Sequence, residues 1–440
     1  MARPVPLWTL LLVGWLSLVV MLIFGGLVLR PPRQTWLHDG VLGLANVPHL
    51  IKHFHYTSEP PRTYADGHPP KVRAGLWRNP AQPLVDPGYL LFTGYDDKLR
   101  RPVIRLMRLS DGVFVHEYAP DINAVNRRST FSSPLIDLKR ERSAALNLMM
   151  HPLLMPDGGL VTHDTSPLAR FDACGRLEWM IDGIFHHSVE RDATGNIWAD
   201  FRYPHAKVPD VGPLFNDEGF MEVSPEGKQL FAIRIADLLD ANGLGGLWRS
   251  HPYTDDPFHL NDVQPVPSAG PYWHAGDLFL SLRNLSTILL YRPSTGKVIW
   301  WKTGPWAMQH DVSVIDNHRI SVFNNNWRVA YPEGTVDGTN RVAVYDFATD
   351  KVSFPMDRVM QGLHINTHTQ GRATPLPNGD FMIEETEGGR VLRAAPDGTI
   401  RWLYTSATPK MRRLQLRWSR YLDPSENMSA ITQAQGAKCN

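Results

Sequence analysis

Cysteine is scarce in this 440-residue chain, which contains only Cys174 and Cys439. Two cysteines exclude a disulfide-rich scaffold and a cysteine-rich zinc site. The sequence leaves open one bond between the two and gives no support for it, because Cys439 lies in a polar tail.

An excess of one charge sign is also missing, since 45 Lys and Arg face 44 Asp and Glu for a net charge of +1. This balance provides no broad positive surface for nucleic acid. The chain contains no phosphate-binding glycine loop, no glycine-rich dinucleotide turn and no His-Glu-x-x-His pattern. We therefore predict no cofactor, no metal and no nucleic-acid partner.

Long apolar runs are confined to the N-terminus, where residues 5–29 carry no charge. A bilayer-spanning helix needs about 20 apolar residues. A signal peptide is the alternative, but its apolar part is usually about 7–15 residues and ends at small residues, not at Arg30–Arg33. We expect residues 1–30 to form a single-pass anchor in the cytoplasmic (inner) membrane. Its orientation is not fixed by charge, because Arg3 opposes Arg30 and Arg33.

Residues 31–75 are rich in Pro, His and Arg and show no sustained period. His53 and His55 suggest a metal site, but the more economical interpretation is a juxtamembrane connector.

Residues 76–405 carry a β pattern, in which short aliphatic and aromatic runs alternate with Gly-containing turns. A Gly-x-aliphatic-x-Trp unit recurs at Gly175–Trp179, Gly296–Trp300 and Gly398–Trp402. Periodic Gly and aromatic residues in repeats of four short strands are typical of a β-propeller. At about 40–50 residues per blade the span holds six to eight blades. We predict an all-β fold with six blades because the connections look long; a pair of β-sandwiches is the alternative.

Helical patterns are rare, and the best candidates are Ile233–Leu239 and Lys410–Tyr421. The second predicts a helix within residues 406–440 that packs on the propeller. Beyond Pro424 we expect a disordered polar tail.

Polar residues capable of chemistry interrupt the apolar strands. His259 and Asn261 are two residues apart, so on a strand both project to one face. Arg283 lies in an apolar strand and needs a carboxylate or a bound anion as partner. His310 precedes the aliphatic run Val312–Ile315. Each of these residues alone also fits an ordinary structural role.

Two further histidine groups are candidates. His186 and His187 alternate on a strand, so only one of them faces a common pocket. His364, together with Asn366 and His368, shares a face if its segment is extended, which makes His364 a candidate substrate contact. Hydrogen-bonded loop histidines are the structural alternative for both groups.

Imidazole, guanidinium and carboxamide groups suit a tetrahedral oxyanion such as sulfate, which they can bind and which an imidazole can attack. At these residues the chain resembles the bacterial nucleotide-independent arylsulfate sulfotransferases. The resemblance covers residues 150–405 and rests on an ordered set of motifs: His186-His187, Asp256–Asp262, Ser281–Ser286, Thr295–Trp300, Gln309–Asp311, Ile320–Asn326, Leu376–Asp380 and Pro396–Trp402.

The resemblance implies a six-bladed propeller that moves a sulfuryl group from a phenolic sulfate ester to a phenol through a sulfohistidine. His310 matches the histidine nucleophile. His259, Asn261 and Arg283 match the groups that hold and neutralise the sulfuryl oxygens. Either His187 or His186 matches the remaining pocket histidine, and both stay open. The resembling enzymes also imply an extracytoplasmic catalytic domain.

The chain departs from that family in three respects. It has an apolar segment and a connector where secreted members carry a small N-terminal sheet domain, and its cysteines offer no obvious pair for the family's disulfide. The family's Phe-Asp-Asn-Gly reads Phe323–Asn326 here, with Asn324 in place of the carboxylate. Two other hypotheses remain, a quinone-dependent propeller dehydrogenase and a noncatalytic, membrane-anchored binding propeller.

Overall fold

The computed structural model describes residues 7–29, 74–84, 87–132, 138–208, 210–212, 214–330, 334–407 and 414–439. The chain divides into two compact units, Met1–Pro60 and Pro61–Asn440. In the first unit, helix α1 spans Leu7–Leu29, where the sequence predicts a membrane-spanning helix. No helix among the described residues has the length and apolarity needed to cross a bilayer, so the predicted anchor is not confirmed. His53 and His55 lie outside the described residues.

The second unit is the predicted six-bladed β-propeller. Each blade is an antiparallel sheet of four main strands, and innermost strands of successive blades contact one another. Strand β1 (Gly75–Arg78) is an additional outer strand of the last blade. Blade one contains β2 (Tyr89–Asp96), β3 (Arg101–Arg108) and β4 (Phe114–Tyr118), and blade two contains β5 (Met150–Leu154), β6 (Leu160–His163), β7 (Leu168–Phe171) and β8 (Leu177–Ile181).

The remaining blades repeat this order from the centre outwards, with one hairpin inserted in blade five. Blade three contains β9 (Ile184–Arg191), β10 (Ile197–Arg202), β11 (Glu218–Val223) and β12 (Gln229–Arg234), and blade four contains β13 (Leu260–Pro265), β14 (Leu278–Leu282), β15 (Thr287–Arg292) and β16 (Lys297–Thr303). Blade five contains β17 (His310–Val314), β18 (Arg319–Asn324), the hairpin β19 (Trp327–Arg328) and β20 (Thr335–Val336), then β21 (Arg341–Asp346) and β22 (Lys351–Ser353). Blade six contains β23 (Arg372–Pro375), β24 (Phe381–Glu385), β25 (Arg390–Ala394) and β26 (Ile400–Thr405).

Six apolar clusters hold the blades together, one in each gap between neighbours. Phe220 of blade three packs in the same cluster as Leu280 of blade four, for example. Leu90 of blade one shares a cluster with Met382 of blade six, which closes the ring. Because each fully buried aliphatic or aromatic side chain contributes roughly 1.5–3 kcal/mol, the stability of each blade depends on both neighbours.

The end of the chain completes the ring. Strand β27 (Arg420–Leu422) pairs with β2 as the innermost strand of blade one. Helix α7 (Pro424–Gly436) follows, with the Asp423 side chain accepting the Ser425 N–H and Pro424 in its first turn, an arrangement that starts a helix well. Its residues Ala430, Ile431 and Ala434 pack between blades one and two. Cys439 then forms a disulfide with Cys174.

Two sequence predictions about this end are therefore wrong, and the question that the sequence left open about the cysteines is answered. In the described part of Lys410–Tyr421 there is no helix, and Arg420 and Tyr421 belong to β27. The tail beyond Pro424 is an ordered helix instead of a disordered segment. The cysteines do pair, because α7 carries Cys439 back to the turn between β7 and β8.

The other helices are short and lie in connections between strands. These helices are α2 (Ile122–Arg128), α3 (Leu138–Glu141), α4 (Ile235–Ala241), α5 (Gly246–Arg249), a 3₁₀ turn (Arg283–Leu285) and α6 (Asp357–Gly362). The helix predicted over Ile233–Leu239 is confirmed as α4 with a later start, because Gln229–Arg234 is still strand.

Candidate active site

Strained backbone recurs where the innermost strands begin. His151, His259 and Asp311 have φ values of 51°, 50° and 46°, in the left-handed region that non-glycine residues rarely adopt. Register shifts accompany His259 and His310, between Leu260 and Asp262 and between His310 and Val312. Such strain costs about 1–3 kcal/mol per residue and concentrates at functional sites. Here the left-handed conformation changes the direction of the side chains where the innermost strands begin.

These strand ends bring three histidine rings, those of His151, His259 and His310, around the ring of His187. The ring centroid of His187 lies 5.0 Å from that of His259, 5.8 Å from that of His310 and 6.2 Å from that of His151. The four residues come from blades two, three, four and five. The geometry therefore unites His187, His259 and His310, as the sequence predicts.

His310 is held in a defined tautomer. Its Nδ1 lies 2.7 Å from Asn325 Oδ1. The Asn325 amide nitrogen donates to the carbonyl oxygens of Thr367 and Gln370, at 3.1 and 2.9 Å, so Oδ1 is the acceptor. His310 Nδ1 consequently carries the proton, and Nε2 keeps its lone pair, which accepts the Gln370 N–H at 3.1 Å.

The His310 imidazole is neutral at physiological pH. The ring is 1% exposed. Burial, with a further contribution from the Arg283 charge, lowers the pKa of His310 well below its ordinary value. A neutral imidazole with a lone pair on Nε2 is a nucleophile.

His259 forms a pair with a carboxylate. Its Nδ1 donates to Asp256 Oδ2 at 2.6 Å, which leaves Nε2 unused. Burial would raise the pKa of Asp256, but the hydrogen bond and the proximity of His259 outweigh it, and the pKa is lowered. Asp256 is therefore an anion that orients the His259 ring.

Arg283 lies beside His259 on the 3₁₀ turn, and its backbone N–H donates to the His259 carbonyl at 3.0 Å. Its guanidinium donates to Asn284 Oδ1 at 2.8 Å, and Asn284 in turn donates to the Asp256 carbonyl at 2.7 Å. Among the described residues no carboxylate pairs with Arg283 within 4.0 Å, and its buried Nε has no partner. Burial lowers the pKa of Arg283. Asp256 and Glu387 lie near enough to oppose this shift, but a half-buried cation without a direct ion pair fits an anion-binding group.

Asn261 has a different environment from its predicted one. It is fully buried, and its amide nitrogen donates to the Gln309 carbonyl at 2.8 Å, which joins blade four to blade five next to His310. Its Oδ1 is buried without a partner. Asp262 points the other way, as alternation predicts, and accepts the Val312 N–H at 2.6 Å.

The two adjacent histidines divide their roles. His187 borders the other rings, and the His163 ring nitrogen lies 3.0 Å from its carbonyl oxygen. His186 turns towards two carboxylates, with its Nδ1 3.7 Å from Asp200 and its Nε2 3.7 Å from Glu218. The two Nδ1 atoms of the pair lie 2.8 Å apart. The structure thus decides between the alternatives: His187 faces the cluster.

His364 does not join the cluster. Its segment after α6 is a turn and not a strand, so the premise of alternation fails, and the side chain is exposed. Within the described part of the chain, no hydrogen bond, ion pair or ring contact involves the His364 side chain.

The segment Phe323–Asn326, where Asn324 replaces the family's carboxylate, still has its structural function. Asn324 Oδ1 accepts the N–H groups of Ala307 and Asn326, at 2.9 and 2.8 Å, which a carboxylate would also do. Asn326 adopts φ 53°, a left-handed conformation that asparagine tolerates better than most residues.

Sequence reasoning missed several members of the site. Asn325 was seen only as part of a motif, and His151 was not assigned to the site. His151 is fully buried, its ring lies on Trp418 with centroids 4.1 Å apart, and neither ring nitrogen has a partner. Asp200 and Glu218 were also missed. The sequence signal that could have identified them is that each is an acidic residue inside an otherwise apolar strand.

These two carboxyl groups are fully buried in blade three. Burial raises the pKa of Asp200 to about 7, against opposing hydrogen bonds from the backbone of His187 and Ser188. Burial, helped by the Asp256 charge, raises the pKa of Glu218 to about 8. Both groups can hold a proton near neutral pH.

Two sets of donor atoms are close enough to surround a metal ion, His186–His187–Asp200 and Glu218–Asp256–His259. Most of their lone pairs are already used. Both Asp200 oxygens accept backbone N–H groups, and the Nδ1 atoms of His186 and His187 pair with each other. In the second set, Asp256 binds His259, and Glu218 Oε1 faces the Arg202 guanidinium at 3.4 Å. We therefore assign no metal to either set.

A cavity of about 880 Å³ borders the site. Asp256, Asn284 and Met308 connect it with the residues described above. The remainder of its wall includes the apolar side chains Leu247, Trp248, Tyr253 and Leu285. Asp210, Arg249 and His251 also line it, so the wall combines apolar surface with polar and charged groups, as small-molecule sites do.

Several solved structures are distantly similar to the chain. A protein of unknown function from Bacteroides caccae has a TM-score of 0.48 and 11% identity, over 76% of this chain and 98% of that one. Virginiamycin B lyase from Staphylococcus aureus has a TM-score of 0.34 and 11% identity, over 60% of this chain and 72% of that one. Hydrazine synthase from Kuenenia stuttgartiensis has a TM-score of 0.38 and 10% identity, over 67% of this chain and 71% of that one.

No curated protein matches the chain. The profile of the arylsulfotransferase (ASST) family matches residues 167–407, which is more than half of the sequence and contains His187, His259, Arg283 and His310. The chain belongs to the arylsulfotransferase (ASST) family.

Proposed function

We propose that the propeller transfers a sulfuryl group from an aryl sulfate to a phenolic acceptor, with His310 as the nucleophile. The observation that carries this proposal is the state of His310, a buried neutral imidazole with Nδ1–H bound to Asn325 and a lone pair on Nε2. Membership of the family supports an arylsulfotransferase activity.

In the first half-reaction, His310 Nε2 attacks sulfur, the N–S bond forms and the bond from sulfur to the phenolic oxygen breaks. The Gln370 N–H, which donates to Nε2 in the structure, releases this lone pair and turns to a sulfuryl oxygen. In the second half-reaction, the acceptor oxygen attacks sulfur, the N–S bond breaks and His310 regains its lone pair. Splitting one difficult step into two is the advantage of covalent catalysis.

The sulfuryl oxygens bind between Arg283 and His259. Arg283 offers guanidinium N–H groups that no carboxylate occupies in the described structure. His259, whose ring Asp256 orients through Nδ1, directs its unused Nε2 edge towards the sulfuryl group. Donors that are already positioned stabilise the charge of the transition state, which is usually the largest contribution to such catalysis.

The aromatic part of the substrate binds in the 880 Å³ cavity, whose apolar wall lies next to Asp256 and Asn284. Since this volume exceeds that of a single phenol ring, we expect donors and acceptors with more than one ring to bind well.

We also propose that the catalytic domain works outside the cytoplasm. The support is the Cys174–Cys439 bond, because structural disulfides persist mainly in oxidising compartments. Protein purified from the native host and alkylated without reduction is expected to resist labelling at both cysteines. Labelling of both thiols would contradict this placement.

Turnover of a chromogenic aryl sulfate tests the activity. Purified full-length protein is expected to release the phenol, faster when a second phenol is added, and to yield the sulfated acceptor by mass spectrometry. Absence of phenol release with every donor would overturn the proposal and favour a binding propeller. An absorbing cofactor in the purified protein would favour a dehydrogenase instead.

A further inference from the structure

Three side chains form a continuous path behind the histidine cluster. Glu218 Oε1 lies 3.7 Å from His186 Nε2, and His186 Nδ1 lies 2.8 Å from His187 Nδ1. The His187 ring centroid lies 5.0 Å from that of His259 and 5.8 Å from that of His310. The path joins a buried carboxyl group in β11 to the centre of the site.

The gap in this path lies between two atoms that make no hydrogen bond. His186 Nε2 and Glu218 Oε1 are both buried and without a hydrogen bond in the described structure, although Glu218 Oε1 faces the Arg202 guanidinium at 3.4 Å. Glu218 is held in place by its other oxygen, which accepts the Leu260 N–H at 2.6 Å. A movement of less than about 1 Å brings the two unpaired atoms to hydrogen-bond distance.

The path has two proton arrangements, and both keep the imidazoles neutral. In the first, Glu218 carries a proton, His186 Nδ1–H donates to His187 Nδ1, and His187 Nε2–H faces the cluster. In the second, Glu218 is a carboxylate, His186 carries its proton on Nε2, His187 carries its proton on Nδ1, and His187 Nε2 has a free lone pair. The first arrangement becomes the second without ring rotation when the Nε2 proton leaves His187 and the protons of His186 and Glu218 each move one step along the path.

The surroundings explain why a carboxyl group, and not an imidazole, stores the proton. Burial lowers the pKa of His186 and of His187 well below the ordinary value, so neither ring keeps an extra proton. The charged and titratable groups that face the path are His151 of β5, His163 of β6, Asp200 and Arg202 of β10, Asp256 and His259 before β13, and His310 of β17. Burial and the nearby Asp256 charge raise the pKa of Glu218 to about 8.

We propose that Glu218 and His186 form a proton relay that makes His187 the acid for the leaving phenolate and the base for the acceptor phenol. This inference rests on the proposed sulfuryl transfer. When the donor is cleaved, the phenolate oxygen takes the Nε2 proton of His187, His187 takes that of His186, and His186 takes that of Glu218. When the acceptor attacks, its hydroxyl proton enters at His187 Nε2 and returns Glu218 to the acid. No proton is gained or lost over the cycle.

The test is Glu218→Gln with a series of aryl sulfates whose phenols differ in acidity. Glutamine keeps the shape of the side chain and the acceptor for Leu260, but it cannot pass a proton. Because a poor leaving group needs an acid, kcat/KM for phenyl sulfate is expected to fall on the order of 10²-fold, while 4-nitrophenyl sulfate, with its good leaving group, is little affected. His186→Asn interrupts the same path and is expected to show the same dependence on the leaving group. Glu222→Gln, on the same strand but bound to Asn196, is the matched control and is expected to leave both rates unchanged.

Equal losses for both donors, or no loss for either, would overturn the relay while leaving the proposed function intact. A metal ion that co-purifies stoichiometrically and is lost in Glu218→Gln would also overturn it, because Glu218 Oε1 would then be a ligand. Failure of the wild-type protein to cleave any donor would instead defeat the proposed function itself. If Glu218→Gln does not fold, His186→Asn with the same donor series decides the question.

Discussion

At the scale of single residues, the site works by fixing where protons sit. Asn325 makes His310 Nδ1 a donor, and Asp256 does the same for His259. Arg283 is the exception, because its buried Nε has no hydrogen-bond partner in the described structure. Asn325 and Arg283 each give a separate prediction.

Asn325→Ala removes the acceptor for His310 Nδ1–H. Leaving a buried donor unpaired costs about 1–3 kcal/mol, which corresponds to roughly a 10- to 100-fold loss in kcat. Steady-state kinetics with 4-nitrophenyl sulfate measure this loss. Asn378→Ala, in a blade-six turn, is the control, and equal kinetics for the two variants would show that Asn325 does not position His310.

Arg283→Lys keeps the charge but replaces the planar fork with a point charge. Since Arg283 has no ion pair to lose, we expect unchanged thermal unfolding and a loss in kcat/KM on the order of 10²-fold. Arg176→Lys, on an exposed turn, serves as the control. Near-normal turnover of Arg283→Lys would move Arg283 to a structural role.

Glu218 should also make stability depend on pH. Its pKa in the folded protein, about 8, is above the ordinary 4.5, so the folded state binds the proton more tightly. The stabilisation is complete below the ordinary value and is lost as the pH rises through the folded value. We expect the free energy of unfolding of the wild-type protein to fall relative to Glu218→Gln between about pH 5 and about pH 9.

Denaturant titrations at several pH values measure this difference. Glu222→Gln is expected to differ from the wild type by the same amount at every pH. A pH-independent difference for Glu218→Gln as well would mean that Glu218 is already ionised in the folded protein.

At the scale of elements, side chains connect the blades where backbone ladders cannot. Asp262 of β13 accepts the Val312 N–H of β17, and Asp311 of β17 accepts the Ala373 N–H of β23, at 2.6 and 2.8 Å. These bonds join consecutive innermost strands. They fix the starts of neighbouring innermost strands relative to one another, and the histidine cluster depends on this alignment.

The C-terminal closure combines β27, α7 and the disulfide. The bond between Cys174 and Cys439 spans 265 residues of sequence. Removing a cross-link over a long loop typically costs about 2–5 kcal/mol. We therefore expect Cys174→Ser to lower the free energy of unfolding by this amount while leaving the KM for the donor unchanged.

Wild-type protein treated with a reductant is expected to unfold like Cys174→Ser, and the double variant Cys174→Ser/Cys439→Ser is expected to be insensitive to the reductant. If reduction leaves the unfolding curve of the wild-type protein in place, the closure does not depend on the bond.

At the scale of the whole molecule, the repeating pattern was readable from the sequence and the closure was not. The recurring Gly-x-aliphatic-x-Trp units lie at the entry to outer strands such as β8, β16 and β26, so the propeller class followed from local signals. The choice of six blades rested on the length of the connections and on the resemblance. Strand β27 is three residues long and pairs with a strand more than 300 residues earlier, which no local pattern reports.

The site shows the same division. Histidines on the innermost strands were identifiable because the resemblance placed them. Asp200 and Glu218 escaped because their importance comes from burial beside His186, which depends on how β9, β10 and β11 pair. His364 was misplaced because its segment is a turn and not a strand.

The most direct measurement of the central claim is the site of sulfuryl attachment. Protein is mixed with donor without acceptor, quenched at alkaline pH, where an N–S bond is expected to survive, and digested for mass analysis. We predict a sulfuryl adduct on the peptide that contains His310, absent in His310→Asn, which is still expected to bind the aryl sulfate. An adduct on His187, His259 or His364, or steady turnover by His310→Asn, would contradict the account.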